Sequence, residues 1–490
     1  MVVPNPAPNP ASDKPKSRHR KRKERAHARF ESKQIAKVEA LPVTCAHACG
    51  IDIGDRSHWV CVGFANDAGP SLVREFPAHT DGLHQIVAWL REHHVSSVAM
   101  EATGIYWVPL YEMLDSEGFE VLLVDPSYTR QIRGRPKTDK RDAQWIYRLH
   151  SCGLLASAFR PDEKTCELRN YLRQRGTLIR YAGQHIQHMQ KALQQMNLKL
   201  TNVVSSITGV TGLKIITAIL KGTRDPIKLA ALRDPGCKRS VEQIAQALTG
   251  TYSDEHLFLL RQSFESWKHY QGQLDKIDAQ IEKQLEQMKL DRALPPLPPP
   301  KAKARGRKPN DPRFDVRAAL YYVVGIDLTQ LEGLDQTSAL NLISEIGTDM
   351  GKFPTVKHFC SWLGLCPNFK KTGGRVKSSR TRPGTNRAAS VLRMAASSLH
   401  RSKGALGAFL RRMKGRLGAP QAVTATAHKL ARIVYLALKH GLQYVRKSQE
   451  EYETKMREKM IANLKRKARQ LGLEIKDPSE TQTAGEQPTG

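Results

Sequence analysis

Between Gly50 and His150 the apolar residues change their spacing several times, and this change of period constrains the fold more tightly than anything else in the chain. Gly50 to Gly54, Trp59 to Phe64 and Leu72 to Phe76 predict three strands in quick succession, joined by short polar turns. From Asp81 to His93 the period becomes helical, with Leu83, Ile86, Val87 and Leu90 on one face. Ser96 to Met100 predicts a fourth strand and Tyr106 to Glu117 a helix. Glu120 to Val124 predicts a fifth strand, ended by Asp125-Pro126, and a further helix follows from about Thr138 to His150. Three strands, then helix, strand, helix, strand, helix suit an α/β domain over residues 46–160, a mixed sheet with helices on its faces.

Four acidic residues interrupt this pattern. Asp52 lies inside the apolar strand Gly50-Ile51-Asp52-Ile53-Gly54, where an ionised carboxylate is costly without a cation or strong donors beside it. Glu101 follows the fourth strand directly, and Asp139 and Asp142 open the last helix, one turn apart on one face. If the first and fourth strands are neighbours and this helix packs beside them, four carboxylates converge. Such a cluster would repel itself and take up protons unless divalent cations were present. Mg²⁺ takes oxygen ligands and bridges to phosphate, and two ions about 4 Å apart can activate a nucleophile and stabilise a leaving oxygen. Each acid also has a plainer reading. Asp139 and Asp142 suit the helix dipole alone, and Glu101 suits an exposed turn.

Outside this domain the chain is basic. The 490 residues carry a formal net charge of +31, more than solubility requires, which implies a polyanionic partner. No apolar run reaches the roughly 18 residues that would span a bilayer, and the Pro-rich, then basic start has no apolar core of a signal peptide. Nucleic acid is therefore favoured over a membrane surface. Residues 1–45 predict a disordered basic arm, densest in cations from Lys14 to Arg29. The eight cysteines form no paired motif, which fits a reducing cytoplasm; Cys45, His47 and Cys49 lack a fourth zinc ligand at usual spacing.

Residues 161–291 predict an α-helical, coiled-coil-like connector. One long helix runs from Cys166 to Leu200, a shorter one from Leu213 to Leu220, and another from Asp254 to Leu290. In the last, Leu257, Leu260, Phe264, Trp267, Leu274, Ile281, Leu285 and Met288 form a heptad-like seam with gaps at Gln271 and Asp278. It fits packing within one chain or a coiled coil between subunits equally well. A Pro-, Lys- and Arg-rich linker spans 292–314, a mainly α-helical region 315–446, and a charged helix with a polar tail 447–490. Around Gly333, and again around Gly209 and Gly212, helix, tight turn and helix are expected, able to offer backbone N–H groups to phosphate or simply to pack. Leu363 to Arg375 reads as a Gly-containing loop leading into Lys377, Ser378, Ser379, Arg380, Arg382 and Arg387; with Lys370, Lys371 and Arg375 it is dense in cations and hydroxyls. It could grip a nucleic-acid backbone or present a hydroxyl nucleophile. Asn386 to His400 and Ala422 to Leu438 predict Ala-rich core helices.

Residues 49 to about 150 resemble the N-terminal domain of the DEDD transposases of insertion sequences, an RNase H-like, Holliday-junction-resolvase-like fold. The resemblance rests on Gly50-Ile51-Asp52, Met100-Glu101-Ala102-Thr103-Gly104 and Lys137-Thr138-Asp139 with Asp142-Ala143, in order and spacing. It implies Mg²⁺-dependent catalysis by Asp52, Glu101, Asp139 and Asp142. The segment after Leu363-Gly364-Leu365-Cys366-Pro367 is similar to the family's second domain, whose members carry a nucleophilic serine just before a glycine. Here that position is Thr372, which keeps the hydroxyl but adds a crowding methyl group. Thr372 is the expected nucleophile, with substitution by Ser378 or Ser379, or an impaired protein, as the alternatives.

The resemblance further implies DNA at the element ends and target, a structured noncoding RNA as guide, and a homo-oligomer, dimer or tetramer, in the bacterial cytoplasm. Two rivals stand beside it. One is a metal-dependent junction-resolving nuclease that forms no protein–DNA bond. The other is a non-catalytic nucleic-acid-binding relic.

Overall fold

The computed structural model describes residues 41–63, 71–102, 104–125, 138–300, 308–384 and 386–473. The basic arm from Lys14 to Arg29, most of the Lys/Arg part of the linker and the polar tail lie outside them, as do Thr103 and Lys137 of the acidic motifs. The chain forms two compact units, residues 1–160 and 161–490.

The first unit holds β1 (Ala48–Ile53), β2 (Ser57–Val62), β3 (Leu72–Pro77), α1 (Thr80–Glu92), β4 (Ser97–Glu101), α2 (Trp107–Ser116), β5 (Glu120–Val124) and α3 (Asp139–Ser151). The five strands form one mixed sheet in the order β3-β2-β1-β4-β5. β1 pairs antiparallel with β2 and parallel with β4, and β4 pairs parallel with β5. This is the expected α/β architecture, with element ends within about two residues of those read from the sequence.

Side-chain alternation divides the sheet into two faces. Cys49, Ile51 and Ile53 of β1 and Val98 and Met100 of β4 point into a core with Leu83, Ile86 and Leu90 of α1 and Leu110 and Leu114 of α2. On the other face Ala48 packs with Ala143 and Tyr147, and Ala99 with Ile146, so α3 covers β1 and β4 there. Burial drives the Cys49 thiol well above its ordinary value and raises that of Cys61 to about 12, as expected of structural thiols. Cys49 joins the α1–α2 core and Cys45 packs with the α3 face, so the two do not share a zinc site.

The second unit begins with a pair of long helices, α4 (Glu163–Gln195) and α9 (Asp254–Gln287). Between them lie α5 (Leu200–Val203), α6 (Val210–Leu220), α7 (Pro226–Ala230) and α8 (Val241–Ala247). α4 and α9 run antiparallel. Lys164 meets the end of α9 at Gln287, His185 stacks on Tyr270, and Tyr181 packs against the same ring at a tilt. The heptad-like seam therefore packs inside one chain, burying Leu260, Phe264, Leu274, Ile281 and Leu285. Its gap at Asp278 is filled by Arg175 of α4: Nε donates to Oδ1 at 2.5 Å and Nη2 to Oδ2 at 3.3 Å, with both side chains buried. The single helix expected from Cys166 to Leu200 stops at Gln195, because Asn197 takes a left-handed conformation (φ 58°).

The remainder holds α10 (Val316–Val324), α11 (Gln336–Ile346), α12 (Val356–Trp362), β6 (Lys370–Thr372), β7 (Arg375–Ser378), α13 (Arg387–Ser398), α14 (Ala405–Leu417), α15 (Ala419–His440) and α16 (Leu442–Gln470). Two expectations change here. The segment read as a Gly-containing loop is a β-hairpin, and the helix expected before Gly333 is a single 3₁₀ turn, Leu328–Gln330.

Candidate functional site

α3 is fixed against the sheet at regular intervals. At its C-terminal end, Ser97 Oγ of β4 and His150 Nε2 hydrogen-bond at 2.9 Å in the interior. Burial lowers the pKa of His150, partly opposed by Glu120 and the Ser97 contact, so the neutral ring is favoured. One step along, Ala99 packs on Ile146. On β1, Ala48 packs with Tyr147, and Gly50 lies beneath the helix turn between Ala143 and Tyr147. A Cβ on Gly50 would stand 2.1 Å from the Tyr147 backbone nitrogen and 2.6 Å from the Ala143 oxygen. Only glycine allows α3 to lie this close.

These contacts form a ladder in which two strand residues match four helix residues. The match is physical, since two residues of strand rise about 6.6 Å and four of helix about 6 Å. Continued one step, the β4 series Ser97–His150 and Ala99–Ile146 leads to Glu101 and Asp142. The β1 series, through Gly50 and Ala143, leads to Asp52 and Asp139. The β1–β4 register is parallel through Ile51 opposite Met100, so Asp52 and Glu101 are the next residues on adjacent strands, about 4.8 Å apart at the backbone. Both belong to the sheet face that α3 covers.

Local chemistry starts α3 at this end. Thr138 caps it, its side chain accepting from the Arg141 N–H, and Asp139 and Asp142 occupy the positive end of the helix dipole. Asp52, Glu101 and Asp142 are half-buried and Asp139 is exposed. Asp52, Glu101 and Asp142 each have an interaction partner. Among the described residues no three acidic, histidine or cysteine side chains close into a ready-made cation cage. The donor set at this end of the sheet is carboxylate oxygen, the chemistry that suits a hard divalent cation. Sequence reasoning missed Gly50, Ser97 and His150, which set the position of the acids; the small residue at Gly50 facing Ala143 and Tyr147 was the available signal.

In the second unit Thr372 ends β6 beside a two-residue turn of Gly373 (φ 55°) and Gly374 (φ 73°). Two left-handed residues in succession make the tight hairpin turn that glycine permits. Thr372 pairs with Arg375 across it, and Pro367 bridges to Thr381 at the hairpin's base. Lys370, Lys371, Arg375, Lys377, Arg380, Arg382 and Arg387 are all exposed, and among the described residues none is joined to a carboxylate. Thr372 is exposed on the hairpin, Ser378 is half-buried with its hydroxyl accepting from the Arg380 N–H, and Ser379 lies on a cavity at the base.

Residues 49–198 match a family model described as a transposase, of the DEDD and IS110 type. Residues 327–411 match a second, the transposase IS116/IS110/IS902 family, so both units carry the same family's sequence. Both stretches are thus similar to models of one transposase family. A pilin gene-inverting protein of Moraxella bovis is 29% identical over 102 residues, covering 19% of this chain and 31% of that protein. The chain thus spans about a third of the length of this curated relative. The DEDD type implies a divalent cation. No helix among the described residues is long and apolar enough to cross a membrane.

Proposed function

We propose that the chain is a DNA recombinase of an insertion sequence, cutting and rejoining phosphodiester bonds with two sets of groups. The observation that carries the reading is the ladder that leads Asp52, Glu101, Asp139 and Asp142 to one end of one sheet face. These four carboxylates would hold Mg²⁺, two ions by the chemistry of such sites, which supplies Lewis-acid stabilisation of the reacting phosphate when bound. Asp52 and Glu101 hold their places through the sheet, and Asp139 and Asp142 through the α3 cap and the Ser97–His150 hydrogen bond. Thr372 Oγ1 attacks phosphorus while the 3′-oxygen departs with a proton, leaving a threonine–phosphate link that the rejoining strand reverses. The exposed cations from Lys370 to Arg387 hold the DNA backbone and position it rather than read it. With sequence left unread by the protein, a structured noncoding RNA pairing with donor and target supplies specificity, and the enzyme works as a dimer or tetramer in the bacterial cytoplasm.

An excision assay on a DNA element flanked by its native ends tests this reading, with trapping of the protein–DNA adduct. Native protein should excise and form the adduct, Asp52→Asn and Asp139→Ala should do neither, and Thr372→Ala should lose the adduct. An adduct that survives in Thr372→Ala and disappears in Ser379→Ala or Ser378→Ala reassigns the nucleophile. A second reading, a nuclease hydrolysing through the acids alone, has one observation in its favour: all four acids lie within residues 1–160. It predicts cleavage without any adduct.

A further inference from the structure

β4 ends at Glu101, and the chain then turns into α2 through Gly104, Ile105 and Tyr106. This turn leaves the sheet at the end to which the β1–β4 register leads Asp52 and Glu101. Among the described residues of the first unit, Ile105 is the most exposed large apolar side chain, at 76%, and Tyr106 beside it is 46% exposed. Single apolar residues are common on a surface, but a turn ordinarily takes Asn, Asp or Ser, and two adjacent apolar residues there need another reason.

The turn is braced. Gly104 is left-handed (φ 61°), and a Cβ on it would stand 3.4 Å from the Tyr106 ring, so that ring lies against the glycine. Trp107 Nε1 donates to the Gly104 carbonyl at 3.2 Å, and the Val108 N–H donates to the Ile105 carbonyl at 3.2 Å. Behind them Trp107 meets Tyr111 edge-on, ring centres 5.7 Å apart, and the Arg160 guanidinium stands 4.1 Å from the Tyr111 ring centre. Ile105 stands outside this packing, on a base with little freedom to fold it inward.

Position sets the partner's chemistry. At most about 11 Å of backbone separates Glu101 from Gly104, the full extension of three residues. Successive nucleotides of one strand rise about 3.4 Å, so a phosphate held at the acids puts about three base steps within reach of the turn. A branched aliphatic side chain on a rigid turn can enter a base step and unstack it, and an adjacent aromatic ring can take the face of the base set free. A second protein surface would also cover apolar side chains, yet it would close over the end at which a DNA strand must enter.

We propose that Ile105 is a wedge that opens a base step of DNA within about three nucleotides of the phosphate held at the acidic end, with Tyr106 stacking on the displaced base. The inference rests on the reading that the acids cut DNA, and adds the positioning residues that prise the strand open beside them.

Fluorescence of 2-aminopurine tests it, in duplexes of the element's end that carry the probe at successive positions around the bond cleaved by native protein. With the full chain bound and EDTA in place of Mg²⁺, fluorescence should rise severalfold at one position within about three nucleotides of that bond. Ile105→Ala should lose the rise while affinity stays within about threefold, and Ile105→Leu should keep it. With Mg²⁺, Ile105→Ala should cleave paired DNA about tenfold more slowly, and an abasic site at the responsive position should restore the native rate. A flat profile from native protein that binds and cleaves, or slow cleavage that abasic DNA does not rescue, overturns the wedge and leaves the recombinase reading standing. A rise kept by Ile105→Ala, together with loss of a dimer in light scattering, overturns it in favour of a contact with a second copy of the chain. Failure of native protein to bind any DNA overturns both readings.

Discussion

Gly50→Ala separates the geometric argument from a merely acidic sequence motif, since it changes no charge. A methyl group there would lie 2.1 Å from the Tyr147 nitrogen, and α3 must retreat about 1.3 Å before ordinary contact at 3.4 Å returns. The displaced part of α3 runs from Tyr147 back through Ala143 to the first turn, which carries Asp139 and Asp142, while Ser97–His150 still holds the far end. Overpacking of this kind costs about 1–3 kcal/mol, so the unit should remain folded. A displacement near 1 Å at reacting groups costs about 10²-fold in rate. We therefore expect Mg²⁺-dependent strand cleavage to fall about 100-fold while the cooperative thermal transition is kept. Gly176→Ala serves as control: that glycine lies in the exposed interior of α4 with open space around it, and alanine should leave cleavage unchanged. A folded Gly50→Ala protein that cleaves within threefold of native would refute the claim that the β1–α3 approach sets the acidic site.

Four further outcomes follow from other contacts. Asp278→Ala leaves the buried Arg175 unpaired and should cost about 3–5 kcal/mol by denaturant unfolding, whereas Arg175→Met combined with Asp278→Leu should recover most of that loss. His58 and His150 both have pKa values lowered by burial, so protonation favours the unfolded state. Their contribution is complete above the ordinary histidine value of 6.5 and fades as pH falls below it; hydrogen exchange in α3 should rise over that interval, and less so in His150→Asn. Lys371→Ala with Arg375→Ala should flatten the slope of log affinity against log salt by about 1.8, measured by fluorescence anisotropy on duplex DNA. Gly374→Val, at φ 73°, should cost the hairpin about 1–2 kcal/mol and lower adduct yield from Thr372, which Gly374→Asn should partly restore.

The sheet and its helices were legible because each strand and helix repeats its apolar residues at its own period, and a carboxylate inside Gly50–Gly54 stands out against such a run. What the period could not show was contact. Asp278 read as a flaw in a seam, because its partner Arg175 lies 103 residues away in sequence. The β6–β7 hairpin escaped notice because Lys370-Lys371-Thr372 and Arg375-Val376-Lys377 are exposed and Ser378 is only half-buried, so no buried face imposes alternation on them. α14 was not read at all, since Gly407 and Gly415 and four basic residues blur its apolar stripe. In α15 the Ala-rich pattern located the core correctly through Ala427, Leu430, Ala431 and Val434. The same regularity concealed that Thr424, His428 and Arg432, one turn apart on another side, open onto a cavity.

Asp278 does more than fill a gap between two helices, because its second oxygen accepts the backbone N–H of Arg313 at 3.0 Å. The peptide just beyond the proline-rich stretch is thereby riveted to the middle of the long helical pair. Anyone building chimaeras by exchanging the C-terminal part of such proteins should therefore place the junction before α4, not within residues 292–314. A cut at the apparent hinge would strand a buried carboxylate on one parent and its amide donor on the other.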